Sequence, residues 1–89
     1  MSWKIEFERG AEKDFGKLPR NMQSRIIRFL LERVAPMENP RAIGEALKGP
    51  TLGEFWKFRV GDYRLITSIQ DETVTILVVR VGNRKEIYK

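Results

Sequence analysis

Lys57, Arg59 and Arg64 flank a Gly61-Asp62 pair, and the stretches around that pair, Phe55–Val60 and Tyr63–Gln70, are rich in aromatic and β-branched residues. Glycine first in a two-residue loop suits a type II′ hairpin turn. With Gly61 and Asp62 as the turn, Val60 pairs with Tyr63, Arg59 with Arg64, Phe58 with Leu65 and Lys57 with Ile66. Side chains alternate along a strand, and directly paired residues share a face. Trp56, Phe58, Val60, Tyr63 and Leu65 therefore point one way, assigned to the core, and Lys57, Arg59 and Arg64 point the other. Two arginines placed opposite each other repel, and Asp62 in the turn relieves this only in part. A guanidinium fork matches two phosphate oxygens and an ammonium adds a compact charge, so the patch is equipped for phosphodiester chemistry. Phe55 has the parity of Lys57 and Arg59, and an aromatic ring there offers a stacking surface for a splayed base. The same side chains also suit an ordinary solvated sheet face.

Composition narrows what else is possible. The 89 residues contain no histidine, which excludes a histidine base, a Ser–His dyad and histidine metal ligands. There is no cysteine, hence no disulfide framework and no thiolate zinc site. Catalysis, if present, runs on Lys, Arg, Tyr, Asp, Glu or a group of the substrate, and no cofactor or metal is expected. A net charge of +5 and a pI near 9.9 point to a polyanionic partner, either nucleic acid, a ribosome or an acidic protein. No apolar run approaches the roughly 20 residues of a membrane helix, and the N-terminus lacks a signal-peptide layout. A cytoplasmic protein without membrane contact is expected, with residues 1–89 forming a single domain.

The elements that must position the patch follow from periodicity. Trp3, Ile5 and Phe7 alternate with Lys4 and Glu6 as a half-buried strand ended by Gly10. Ala11–Leu18 reads as a short helix stopped by Pro19. Asn21 suits an N-cap for a longer helix reaching about Val34, with Met22, Ile26, Ile27, Leu30, Leu31 and Val34 at helical spacing. Arg25, Arg28 and Arg33 read as its solvated face. Arg41–Leu47 suggests one helical turn closed by Lys48-Gly49-Pro50. Asp71-Glu72 separates the second hairpin strand from a third, Thr73–Val81. The fold class is α+β: an antiparallel sheet in the order β-α-α-β-β-β, with two N-terminal helices packed on one face. The tail Gly82-Asn83-Arg84-Lys85-Glu86-Ile87-Tyr88-Lys89 can bend at Gly82 and carry Arg84 and Tyr88 toward the patch.

Trp56-Lys57-Phe58-Arg59-Val60-Gly61-Asp62-Tyr63-Arg64-Leu65-Ile66, followed by Val79-Arg80-Val81-Gly82-Asn83-Arg84-Lys85-Glu86-Ile87-Tyr88, resembles the signature of the RelE/ParE toxins. Phe15-Gly16-Lys17-Leu18-Pro19 is similar to that family's first helical hairpin, and Leu47-Lys48-Gly49 to its approach to the sheet. The resemblance spans essentially the whole chain. It implies the toxin of a type II toxin–antitoxin system, on the RelE branch an endoribonuclease that cuts mRNA in the ribosomal A site. Its implied partners are a cognate antitoxin, in a hetero-oligomer, and the ribosome with its mRNA. The implied catalytic set is Lys57, Arg59, Arg64, Arg84 and Tyr88, with Phe55 and Lys85 adding to RNA binding. Arg59 stands where some members carry lysine, and Asn83 where many carry histidine. Because an arginine side chain holds its proton, Lys57 is the expected general base. Arg59 and Arg64 would hold the phosphate, Arg84 would stabilise the leaving group and Tyr88 would orient the nucleotide. Two alternatives from other classes are a ParE-like poison of DNA gyrase and a non-catalytic module that binds nucleic acid or protein.

Overall fold

The structure is a computed structural model that describes residues 2–47 and 55–83. Its elements are β1 (Lys4–Phe7), α1 (Arg9–Gly16), α2 (Arg20–Arg28), β2 (Glu45–Ala46), β3 (Phe55–Val60), β4 (Tyr63–Gln70) and β5 (Thr75–Asn83). A π-helical turn, Phe29–Val34, extends α2, and a short 3-10 turn, Pro40–Ala42, precedes β2. The strands form one sheet in the order β1-β5-β4-β3-β2. The β3-β4-β5 meander is antiparallel, as is β2 beside β3, while β1 runs parallel to β5 at the far edge. No described helix is long and apolar enough to cross a membrane.

The core lies between the helices and one face of the sheet. Ile26, Leu30 and Val34 pack with Phe58, Leu65, Ile76 and Val78, all fully buried. The Phe29 ring meets Phe58 edge-on at 6.2 Å. Removing a ring buried as Phe58 is costs about 3–5 kcal/mol. Ile27 and Leu31, expected in the buried stripe, are exposed instead, because they lie about a quarter of a turn further round than Ile26 and Leu30. Ala35 N–H bonds to the Leu30 carbonyl five residues back, at 2.8 Å. The wider π turn absorbs one extra residue and keeps Val34 on the face of Ile26.

Several element boundaries differ from the periodicity reading. Pro19, not Asn21, caps α2. The Gln23 side chain fixes this corner by donating from Nε2 to the Phe15 and Leu18 carbonyls at 3.1 and 3.2 Å. Helix α1 begins at Arg9, so Gly10 lies in its first turn. In place of a helical turn over Arg41–Leu47, the chain makes the turn at Pro40–Ala42 and then pairs Glu45 with Lys57 and Ala46 with Trp56. Gly44 permits this approach, since a Cβ there would stand 3.1 Å from the Phe58 ring. The β4–β5 loop spans Asp71 to Val74, two residues more than expected, and β5 starts at Thr75. An Asp-Glu pair does not favour a primed turn. Val74 instead adopts φ 49°, a left-handed conformation that is strained for a β-branched residue, and its carbonyl accepts from Lys4 N–H at 2.8 Å. The Lys48-Gly49-Pro50 closure lies outside the described residues.

A bulge aligns β5. Ile66 faces Arg80 while Thr67 faces Val78, so Val79 is the extra residue. The parity switch lets Ile76, Val78 and Val81 all enter the core. Past Phe7 the outer edge of β5 has lost its strand partner. Asp14 of α1 takes over there, accepting from Val81 N–H at 3.0 Å and from Arg80 Nε at 2.9 Å.

At the opposite end of the sheet, Arg41 donates to both carboxylate oxygens of Asp71, at 3.0 and 2.7 Å, and lies 5.7 Å from the Trp56 ring centroid. The hydrogen bond from Arg41 holds the Asp71 carboxyl below its ordinary range, and the same bond raises Arg41. A carboxylate depressed on folding contributes stability above its unfolded pKa and loses it as pH falls through the folded one. Asp71→Asn is therefore expected to lower the melting temperature modestly at neutral pH, with the wild-type and variant curves converging below about pH 4. Melting curves across pH test this; a constant offset at every pH would show that the pair does not titrate with folding.

Candidate active site

The β3–β4 hairpin takes the expected register, with Val60↔Tyr63, Arg59↔Arg64, Phe58↔Leu65 and Lys57↔Ile66. Gly61 has φ +60° and Asp62 stays at negative φ, the pattern of a type II′ turn. Phe58, Val60 and Leu65 are buried and Trp56 and Tyr63 partly so. The sheet face away from the helices thus carries Phe55, Lys57 and Arg59 along β3 and Arg64 beside Arg59 on β4. Successive side chains on one face of a strand are about 7 Å apart, and directly paired ones about 5 Å. Lys57, Arg59 and Arg64 are accordingly neighbours on one face.

The three cations are held differently. Arg59 is exposed. Arg64 is 6% exposed, and its Nη1 donates to the Gly61 and Tyr63 carbonyls at 3.3 and 3.2 Å. Arg64 therefore braces the turn that sets the register, as well as charging the face. Lys57 Nζ lies 3.3 Å from Glu45 Oε2, with side-chain exposures of 19% and 60%. Sequence reasoning missed Glu45, because the two-residue strand that delivers it has no periodicity to read. It also missed Arg80, which faces Ile66 across the β4–β5 ladder and is paired to Asp14. Phe55 pairs with Ser68 at the start of β3 and is half-buried. Arg84, Lys85 and Tyr88 lie outside the described residues. Asn83, where β5 ends, faces Tyr63. Among the described residues no three acidic side chains converge as metal ligands would.

The arrangement suits an anion that has to be gripped from several sides. A guanidinium and an ammonium on one strand face a second guanidinium on the next, and one carboxylate touches the ammonium. The sequence model for the ParE toxin of the type II toxin–antitoxin system parDE matches residues 5–88. The chain belongs to this toxin family. Two curated relatives support the assignment. The toxin is 30% identical over 89 residues to Toxin RelG of Mycobacterium tuberculosis, covering 100% of this chain and 99% of the relative. It is also 30% identical over 90 residues to the mRNA interferase toxin RelE of Escherichia coli K12, covering 99% and 92%. Among solved structures, the toxin–antitoxin complex RelBE2 of Mycobacterium tuberculosis superposes with a TM-score of 0.84 at 27% identity, covering 97% of this chain and 95% of that one. The isolated RelE toxin of Escherichia coli superposes at 0.69 with 25% identity, covering 98% and 92%. The expected two helices over a small sheet are thus those of the RelE toxins, and this chain is a type II toxin related to RelE.

The Lys57–Glu45 pair is solvated on its acidic side, and such pairs contribute less than about 1 kcal/mol to stability. Glu45→Gln and Lys57→Gln are each expected to fold with near-wild-type urea midpoints. A loss of several kcal/mol in either would assign the pair to the architecture instead of the site.

Proposed function

We propose that this toxin is an endoribonuclease that cleaves mRNA on the translating ribosome and is neutralised by a cognate antitoxin protein. The observation that carries the reading is the cross-strand register, which places Arg64 opposite Arg59 and Lys57 next along the same face. Support comes from the relative named an mRNA interferase and from the toxin–antitoxin complex among the structural neighbours. RNA brings its own nucleophile, the 2′-hydroxyl. Its attack on the adjacent phosphorus forms a pentacoordinate phosphorane, and expulsion of the 5′-oxygen leaves a 2′,3′-cyclic phosphate. The protein has to take the 2′ proton, stabilise the added negative charge and protonate the leaving oxygen.

Lys57 is the proposed base, since the neighbouring guanidiniums keep their protons. Arg59 and Arg64 are proposed to hold the phosphoryl oxygens, with Arg64 anchored to the turn carbonyls through Nη1. Arg84 is proposed to serve the leaving oxygen and Tyr88 to orient the nucleotide, with Phe55 and Lys85 adding to RNA binding. The reaction written this way needs no metal or cofactor.

Lys57→Arg retains the charge and removes the usable base. It is expected to reduce single-turnover cleavage of ribosome-bound mRNA by about a hundredfold or more, with RNA binding close to wild type. Wild-type cleavage in Lys57→Arg would overturn the base assignment. Induction of the toxin in cells is expected to halt protein synthesis before DNA synthesis. If replication stopped first with mRNA intact, the nuclease reading would give way to the gyrase one.

A further inference from the structure

Arg25, Arg28 and Arg33 read in sequence as a solvated helix face, but the fold gathers them. With Arg59 of β3 they line an open groove of about 430 Å³ between α2 and the β3–β4 turn. Two features shape it. The π turn Phe29–Val34 absorbs an extra residue, which rotates Arg33 back toward the side of Arg25 and Arg28. Gly61 leaves room for a guanidinium, since a Cβ there would stand 3.0 Å from Arg25 Nη1. The glycine that the turn needs for its positive φ thus also seats an arginine.

Among the described residues, little acidic charge faces this groove. The ion pairs among the described residues are Arg41–Asp71, Lys57–Glu45 and Arg80–Asp14, and none engages these four arginines. Glu32 is the single acidic residue among the described residues that line the groove. Four guanidiniums against one carboxylate repel unless an anion joins them. The groove also continues into the site. Arg33 and Arg59 line a smaller recess of about 130 Å³ together with Lys57. A basic track therefore runs from Arg25 on the helix, past Arg33, to Lys57 on the sheet.

We propose that this track binds the phosphate backbone of RNA outside the scissile position, making α2 a second RNA-holding element. The inference rests on the RNA reading above and adds a surface to it. An acidic protein segment is the weaker occupant. Peptide docking relies on apolar anchors, and this groove offers few besides Phe29 and Val60. The exposed Ile27 and Leu31 line a different groove, with Phe15.

The test uses the full chain and a fluorescein-labelled RNA 12-mer of mixed sequence, 2′-O-methylated throughout so that it binds without being cut. Binding is measured by anisotropy across a salt series. Arg25→Gln/Arg28→Gln is expected to weaken binding about tenfold at 0.1 M salt and to lower the slope of log K against log salt by about 1.4, the single-strand value for two lost contacts. Arg9→Gln/Lys13→Gln on α1 removes the same charge away from the groove and controls for long-range attraction. Equal effects of the two pairs would overturn the proposal. So would a poly-glutamate peptide of matched charge that binds as tightly as the RNA and depends equally on Arg25 and Arg28. Cleavage separates this proposal from the nuclease reading. At saturating RNA, Arg25→Gln/Arg28→Gln is expected to cut at the wild-type rate. A toxin that cuts no RNA while its RNA binding still depends on Arg25 and Arg28 would refute the nuclease and keep the groove. Wild-type cutting with binding indifferent to both arginines would refute the groove and keep the nuclease.

Discussion

The β3–β4 hairpin register is the constraint on which the rest of this structure depends. A slip of one residue would send Phe58 and Leu65 to the outer face and bring Arg59 and Arg64 into the core. Burial of Phe58 and the positive φ of Gly61 hold the register from its two ends. Arg64 adds a third hold by bonding back to the turn carbonyls. Core and site are thus opposite faces of one pairing pattern. The burial that stabilises one face makes the convergence of cations on the other tolerable.

The remaining elements complete the sheet around that hairpin. On one side, β2 brings Glu45 to Lys57. On the other, β5 bulges at Val79 so that Val78 and Val81 both reach the core. Because β1 stops at Phe7, the far part of β5 needs another acceptor for its backbone, and Asp14 supplies it from α1. One carboxylate therefore ends the sheet and holds Arg80 at its edge. Among the described residues the helices pack on the face of Phe58 and Leu65, and the opposite face carries Lys57, Arg59 and Arg64 beside the buried Ile66.

The π turn links the helical layer to the site. It keeps Val34 in the core and at the same time points Arg33 toward Arg59. Local irregularities in this fold recur where basic side chains gather: the π turn beside Arg33, the positive φ of Gly61 beside Arg25, the bulge beside Arg80. Each turns a residue that regular geometry would have sent elsewhere.

The amino-acid sequence by itself determined the hairpin, its turn type, the division of its side chains between two faces and the α+β class. Those features depend on period-two alternation and on one glycine, which are local. It also determined what chemistry is excluded, since a chain without histidine or cysteine cannot supply their reactions. The parallel pairing of β1 with β5, the delivery of Glu45 to Lys57, the capping of β5 by Asp14 and the gathering of Arg25, Arg28 and Arg33 beside Arg59 were decided only in tertiary structure. Each brings together residues from separate elements, and β2 is too short to carry a pattern of its own. The exposure of Ile27 and Leu31 was likewise illegible, because an apolar residue at helical spacing has the same signature whether or not a neighbour covers it. Whether a side chain is covered depends on where the sheet lies, and that is a property of the whole fold.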